Sequence, residues 1–324
     1  MKKKARAKLL FTCVILVLTL VILFSGLQIL ESAALFTEQT GTRTPSKTIV
    51  RDGKKYFPRQ DITTVLLMGI DEYGEVRAFE PNKAGGVDMV AIVILDEQSQ
   101  SARILSLNRD TMMSIRKLDE NGKPVGSFVG QLTYSHMYGT GLEDSCENTR
   151  KVISDFLYGI NIDYYMAMNM DAISILNDAV GGVTVNVTYD FSDIDPKITM
   201  GEMTLRGDQA ITFVQSRKRI GDQLNTSRME RQQIYMEAFM KALRAKMESS
   251  DSFALKAYAD VSPYIVTDIS SNVFSSMVQH YSDYSIAEMV IPEGENVMGE
   301  QYMEFHVDKE KLDDVILRLF YAEK

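Results

Sequence analysis

The sequence predicts a mixed α/β layered domain carried behind one N-terminal transmembrane helix. Three observations carry this expectation. Apolar runs of strand length alternate with stretches of helical spacing, so strands and helices interleave along the chain. Leu9 to Leu30 is a 22-residue stretch without a charge. The rest of the 324 residues has a globular composition, 45% apolar and 24% charged.

In order, residues 1–8 form a basic tail expected in the cytoplasm, with Lys2, Lys3, Lys4, Arg6 and Lys8 and no acid. Residues 9–30 form the expected transmembrane helix, since about 20 apolar residues span a bilayer core. A cleaved signal peptide is the competing reading, because Ser32-Ala33-Ala34 resembles a cleavage site. Signal cores run about 7–15 residues, so the length favours a retained anchor. Residues 31–60 read as an extracellular stalk and residues 61–324 as one domain.

Within that domain Thr63–Ile70 is an apolar run closing on Gly69 and Asp71, hence a buried strand. Val87–Leu95 and Ala102–Leu107 are further strands, Arg150–Tyr158 is helical, and Tyr164–Met168 returns to strand. Asp171–Val180 has helical spacing and stops at Gly181-Gly182, a C-cap signal, before Val183–Val187 alternates as a strand. A long amphipathic helix fits Ser227–Met247, opened by a Ser227/Glu230 capping box. Shorter helical segments follow, with a strand at Met289–Ile291 and a final helix at Asp308–Tyr321.

Composition excludes a disordered acidic chain, a collagen repeat and a disulfide-stapled miniprotein. Cys13 lies in the membrane stretch and Cys146 stands alone outside it, so no intrachain disulfide joins them, and Cys146 reads as a small packing residue. His136, His280 and His306 lack zinc-ligand spacing. The net charge of −9 hides a partition: residues 1–30 carry +5, which leaves −14 on the rest. Against that background residues 206–231 hold six basic and three acidic side chains, net +3.

That local excess points to an oxyanion site. Arg217-Lys218-Arg219 places two guanidiniums on one side of an extended chain. Arg228, Arg231 and Gln232 share a face at the start of the long helix, where free N–H groups and the helix dipole favour an anion. Arginine forks suit a pyrophosphate better than a carboxylate. A solvated basic face balanced by Asp222 and Glu230 is the bland alternative. Asp71, at a strand end, and Asp88, opening the next strand, could share a hard cation such as Mg²⁺, or stand simply as turn residues. Arg109-Asp110 ends another strand, as a phosphate grip or a local ion pair. Walker, nucleophile-elbow and dinucleotide glycine motifs are absent.

In this order the motifs resemble the LytR-CpsA-Psr catalytic domain. They are Gly69-x-Asp71, Val87-Asp88-Met89, Ser106-Leu107-x-Arg109-Asp110-Thr111, Ile162-Asp163-Tyr164-Tyr165, Ala179-Val180-Gly181-Gly182-Val183, Gly207-x-Gln209-Ala210, Arg217-x-Arg219 and Arg228-x-x-Arg231-Gln232-Gln233. The likeness runs over about residues 61–280. Asn108 stands where that family usually has Pro, Glu72 where it commonly has Arg, and Gly86-Val87 where it often has Arg-Ser.

The resemblance implies a mixed-sheet α/β/α sandwich around a hydrophobic lipid pocket. It implies a Mg²⁺-dependent phosphotransferase, with Mn²⁺ as a substitute, at the outer surface of a bacterial and typically Gram-positive membrane. The donor would be a polyprenyl-pyrophosphate-linked glycan such as a teichoic acid or capsule polymer, and the acceptor peptidoglycan. Asp71 and Asp88 would hold the metal. Arg109, Arg217, Arg219, Arg228, Arg231 and Gln232 would hold the pyrophosphate, with Asp222 completing the site and Asp110 or Asp222 taking the acceptor proton. A pyrophosphatase acting on the same lipid, and a non-catalytic carrier binder or regulator, are the rivals. Nucleic acid is not expected as a partner, because an exported surface of −14 repels phosphate backbones.

Overall fold

The structure is a computed structural model and describes residues 48–217, 219–221, 225–250, 253–281 and 284–323. The expected tail and transmembrane helix, the first part of the stalk, and Asp222 lie outside the described residues. Among the described residues no helix is long and apolar enough to cross a membrane.

The chain runs β1 (Ile49–Arg51), β2 (Lys54–Pro58), β3 (Ile62–Ile70), β4 (Val87–Asp96), β5 (Ser101–Leu107), β6 (Met112–Leu118) and β7 (Pro124–Gln131). After a 3-10 turn at Leu132–Ser135 come α1 (Glu143–Phe156), β8 (Tyr164–Asn169), α2 (Asp171–Ala179), β9 (Val183–Val187), β10 (Gly201–Leu205), α3 (Asp208–Gln215) and α4 (Asn225–Ser249). The last third is α5 (Phe253–Val261), β11 (Ile265–Thr267), α6 (Ser271–Tyr281), β12 (Ser285–Val290), β13 (Gly294–Met298), β14 (Met303–Val307), α7 (Lys309–Phe320) and β15 (Tyr321–Glu323).

Six strands form the central mixed sheet in the order β11-β8-β3-β4-β5-β12. The β3/β8 and β5/β12 pairs are parallel and the other three are antiparallel. β3 and β4 are apolar on both faces because both faces are covered. Val65, Leu67, Ala91 and Val93 pack with α2 to α6 and β9, while Leu66, Met68, Ile92 and Ile94 pack with α1, α7 and β6. The period-2 alternation of the strands thus divides the core into two layers around the sheet, as the resemblance implied.

Expected elements recur with small shifts. α2 ends where anticipated: Gly181 and Gly182 adopt φ of 91° and 93°, and their N–H groups close on the Asp178 and Asn177 carbonyls. The Asp308 side chain caps α7 by accepting from the Glu310 and Lys311 N–H groups. The strand expected at Met289–Ile291 begins earlier, at Ser285.

Two expectations need correction. The helix expected from Ser227 begins by Asn225, so Ser227 is inside it, and Glu230 accepts from the Tyr189 hydroxyl at 3.2 Å. The stalk boundary also moves, because β1 and β2 form a three-stranded sheet with the C-terminal β15. Arg59 locks that sheet to the core by pairing with Asp61 and Asp96, the latter also held by Arg103.

Candidate active site

The antiparallel ladders bring the end of β3, the start of β4 and the end of β5 to one rim: Ile70 faces Val87, and Val90 faces Leu107. Asp71, Asp88, Arg109 and Asp110 therefore meet at one rim although they come from three connections. The Asp71 N–H donates to the Gly86 carbonyl at 2.9 Å, which ties the two carboxylate-bearing segments together.

Arg228 of α4 reaches into this rim with 3% exposure. Its Nη1 donates to Asp88 Oδ2 at 2.9 Å and its Nη2 to the Asp88 carbonyl at 3.3 Å. Arg109 Nη1 closes on the other carboxylate oxygen, Oδ1. Asp110, also buried, accepts from Arg217 Nη1 at 3.1 Å, from Gln131 Nε2 at 3.3 Å and from Arg109 Nε at 3.4 Å. Three guanidiniums thus crowd two buried carboxylates. Burial first, then the charges of Arg109, Arg217 and Arg231, hold Arg228 below its ordinary value against the opposing charge of Asp110. Arg228 Nε is buried without a hydrogen-bond partner. Buried groups left in this condition are costly unless a ligand completes them.

The other expected residues divide. Asp71 is exposed and accepts from Gln215 Nε2 at 2.9 Å, while Gln215 Oε1 accepts from the Tyr73 hydroxyl at 2.9 Å. Arg219 is exposed at a φ of 65°, an uncommon setting for a side-chain-bearing residue, and has no ion pair among the described residues. Arg231 points elsewhere. Fully buried, it donates from Nε to the Phe213 carbonyl at 3.0 Å, from Nη1 to Ser227 O at 3.1 Å, and from Nη2 to Ser216 O. Tyr189 and Phe191 flank its guanidinium at 5.6 and 5.8 Å. Gln232 Nε2 donates to the Val214 carbonyl at 3.2 Å. Arg231 and Gln232 therefore grip the carbonyl end of α3, where the helix dipole favours a cation, and so aim the segment bearing Arg217.

Four amides escaped the sequence reading. Asn225 Nδ2 donates to Asn108 Oδ1 at 2.6 Å, and that oxygen also accepts from the Asp110 N–H at 2.9 Å, so the pair staples the Arg109-Asp110 loop to the start of α4. Gln131 and Gln215 orient Asp110 and Asp71 in turn. A neutral amide leaves no charge pattern in a sequence, so its role emerges only in the folded chain. Among the described residues no group of three or more His, Cys, Asp or Glu is arranged to hold a metal. A described cavity of about 650 Å³, lined by Ile49, Tyr158, Asp313 and Ile316, does not touch the charged rim.

The fold and the site define an α/β domain that gathers arginines and aspartates at one rim of its sheet. The chain belongs to the LytR_cpsA_psr family, whose model matches residues 24–320. A relative from Bacillus mycoides (strain KBAB4), the polyisoprenyl-teichoic acid--peptidoglycan teichoic acid transferase TagU, is 27% identical over 221 residues. That match takes in 68% of this chain and spans 62% of the relative's own length, less than two thirds. TagU of Bacillus licheniformis is 23% identical over 329 residues, covering 98% of this chain and 97% of that one. The fold is shared with the crystal structure of B. subtilis TagV, at a TM-score of 0.60 and 24% identity over 81% of this chain and 96% of that one. It is also shared with gbs0355 from Streptococcus agalactiae, at 0.65 and 23% over 80% and 86%. TagT bound to LI-WTA matches at 0.60 and 21% over 80% and 90%.

Proposed function

We propose that this protein is a membrane-anchored phosphotransferase that moves a glycan phosphate from a polyprenyl-pyrophosphate carrier to peptidoglycan outside the cell. The single observation that carries this reading is the excess of guanidinium charge at Arg109, Arg217 and the buried Arg228 over the buried Asp88 and Asp110. Phosphoryl transfer needs positioning and neutralisation of oxygens more than a covalent nucleophile. The TagU relatives, named as teichoic acid transferases, support the substrate class.

Asp71 and Asp88 would hold a divalent cation, Mg²⁺ or Mn²⁺. The donor set fits in its chemistry: two carboxylates from neighbouring segments, tied together by the Asp71 N–H donating to the Gly86 carbonyl, suit an ion that fills its other positions with phosphate oxygens and water. When bound, the ion would neutralise pyrophosphate charge and polarise the P–O bond.

The chain's own residues do the rest. Arg109, Arg217 and Arg228 bind the pyrophosphate and stabilise charge developing on the departing polyprenyl phosphate. Arg219, exposed beside Arg217 in sequence, joins them on donor binding. Asp110 has both oxygens accepting from donors, so it serves to fix Arg109 and Arg217 more readily than to take a proton. Asp222 remains the second proposed proton acceptor. Arg231 and Gln232 position the Arg217 segment without touching the donor.

We propose that the carrier's tail lies along α4, parting side chains that are packed there. Beyond Arg228 the buried face of α4 continues with Tyr235, Phe239 and Leu243, apolar residues in the layer between α4 and the sheet. One helix face thus presents guanidinium first and hydrocarbon after it, matching a lipid pyrophosphate.

The test is a reconstituted reaction of the purified full chain with lipid-linked glycan donor and a peptidoglycan oligomer. Glycan phosphate attached to the oligomer, lost in Arg217→Ala, is the expected result. Free glycan phosphate alone would make the protein a hydrolase. In Asp71→Ala, turnover still stimulated by Mg²⁺ would sink the metal assignment.

A further inference from the structure

One buried ionisable residue has no part in the function above. His136 follows the 3-10 turn Leu132–Ser135 and is 1% exposed. Its Nδ1 lies 2.9 Å from the Gly85 carbonyl oxygen and its Nε2 lies 3.9 Å from Cys146 Sγ on α1. A carbonyl oxygen only accepts, so Nδ1 carries the proton and Nε2 presents its lone pair. Burial pushes the Cys146 thiol well above its ordinary value, so it keeps its proton and can donate. Burial also holds the imidazole below its usual range, so the ring is neutral. Both ring nitrogens are thereby assigned, in a relay from Cys146 through His136 to Gly85.

Gly85-Gly86 is the connection that leads into Asp88 and backs Asp71. A Cβ at Gly85 would lie 2.6 Å from the Asp71 carbonyl oxygen, and one at Gly86 would lie 2.6 Å from Thr133 Oγ1. The glycines are therefore pressed between the end of β3 and the 3-10 turn, with Gly86 O accepting from the Asp71 N–H. The same turn grips the guanidinium arm: the Thr133 N–H donates to Arg109 O at 3.0 Å and the Leu132 N–H to Thr111 O at 2.9 Å.

We propose that His136, fixed as its Nδ1–H tautomer by Cys146, is a positioning residue that sets the Asp71 and Asp88 carboxylates for a divalent cation by holding the Gly85 carbonyl. This rests on the metal-pair reading above and deepens it, since His136 touches neither donor nor ion. Hydrogen bonds behind metal ligands are typically worth about 10–100-fold in metal affinity.

The test uses the full chain in detergent, with Mn²⁺ as probe followed by paramagnetic resonance, and amide hydrogen exchange over Asp71 and Gly85–Asp88. His136→Leu removes the donor and keeps the bulk. His136→Asn returns an N–H near the Nδ1 position. His136→Leu is expected to weaken Mn²⁺ binding by about 10-fold or more and to speed exchange at the Asp71 amide. His136→Asn should restore both. A folded His136→Leu protein that matches wild type in both measurements overturns the proposal. If His136→Leu fails to fold, His136→Gln carries the same expectation, because its amide reaches the Nε2 position and misses Gly85. If wild type binds no Mn²⁺, the metal-pair reading falls, and exchange at Asp71 alone decides the role of His136, with unchanged exchange overturning it.

Discussion

Replacing Arg228 with Met separates an anion-binding arginine from one that serves the fold. Its two hydrogen bonds to Asp88, at 2.9 and 3.3 Å, involve charged partners and contribute about 1.5–3 kcal/mol each. Three effects oppose their loss. Removing the orphaned Nε recovers about 1–3 kcal/mol. Asp88 keeps Arg109, so no bare carboxylate is left in the core. Repulsion from Arg109, Arg217 and Arg231 disappears with the charge. The first two terms leave a net cost of about 0–5 kcal/mol, which the lost repulsion lowers further, so the fold should survive the change. Pyrophosphate binding has no such offset. Losing a bidentate, charge-assisted contact costs about 3 kcal/mol, which is about 100-fold in Kd. Titration calorimetry with farnesyl pyrophosphate, run beside thermal melts, reads both quantities. Arg228→Lys should recover only part of the affinity, since an ammonium lacks the planar fork. A variant that melts far below wild type yet binds the pyrophosphate as tightly would refute the reasoning and leave Arg228 as a fold residue.

Arg231→Met should behave in the opposite way. It abandons three backbone carbonyls in a fully buried site and should destabilise the fold by about 3–5 kcal/mol in urea titrations. A stable Arg231→Met protein that has lost only donor affinity would return Arg231 to the binding set. Acid sensitivity should centre on Asp96. Burial pushes its carboxyl up, but hydrogen bonds from Arg59, the Ser99 N–H and Arg103 outweigh that and hold it well below the usual carboxylate range. Because the folded value is the lower one, this stabilisation is present above the unfolded value near 4 and fades as pH falls below about 4–5. Asp96→Asn should therefore lose stability at pH 7 and show a shallower decline on acidification, as measured by urea unfolding at pH 7 and at about pH 3.

The central sheet was legible because β3 and β4 are apolar on both faces and leave runs that no surface segment would carry. α2 was legible because Gly181-Gly182 marks its end in chemistry as well as in position. β1 and β2 were not, since short half-exposed strands acquire meaning only by pairing with β15 at the far end of the chain. The β6–β7 and β13–β14 hairpins were missed for a similar reason: their outward faces are polar or exposed and their ladders are local to each pair. In the site, charge made Arg109, Arg217 and Arg228 visible, whereas the amides that orient them carry no such mark. Asn108 and Asn225 meet across 117 positions. Arg231 looked equivalent to Arg228 because helical periodicity places both on one face. Periodicity says nothing of what covers that face, and the end of α3 covers Arg231 while the carboxylate rim receives Arg228.

The proposed tail path along α4 makes a graded prediction that charge alone does not. Guanidiniums bind inorganic and lipid pyrophosphate through the same oxygens, so discrimination must come from hydrocarbon. Arg228 to Leu243 spans about 22 Å of helix at 1.5 Å per residue, enough for several isoprene units beside Tyr235 and Phe239. A buried methylene contributes at most about 0.8 kcal/mol, so a five-carbon unit has a ceiling of about 4 kcal/mol. Ordering the tail and displacing packed side chains take back much of this, leaving about 1–2 kcal/mol per unit, or about 5–30-fold in Kd. Affinity should therefore climb in steps from inorganic pyrophosphate through the isopentenyl, geranyl and farnesyl esters. Phe239→Ala should flatten the upper steps and leave inorganic pyrophosphate unaffected, because Phe239 lies three turns from Arg228. Equal affinity for all four compounds would place the tail outside the apolar layer, since only burial, and not charge, can make affinity depend on chain length.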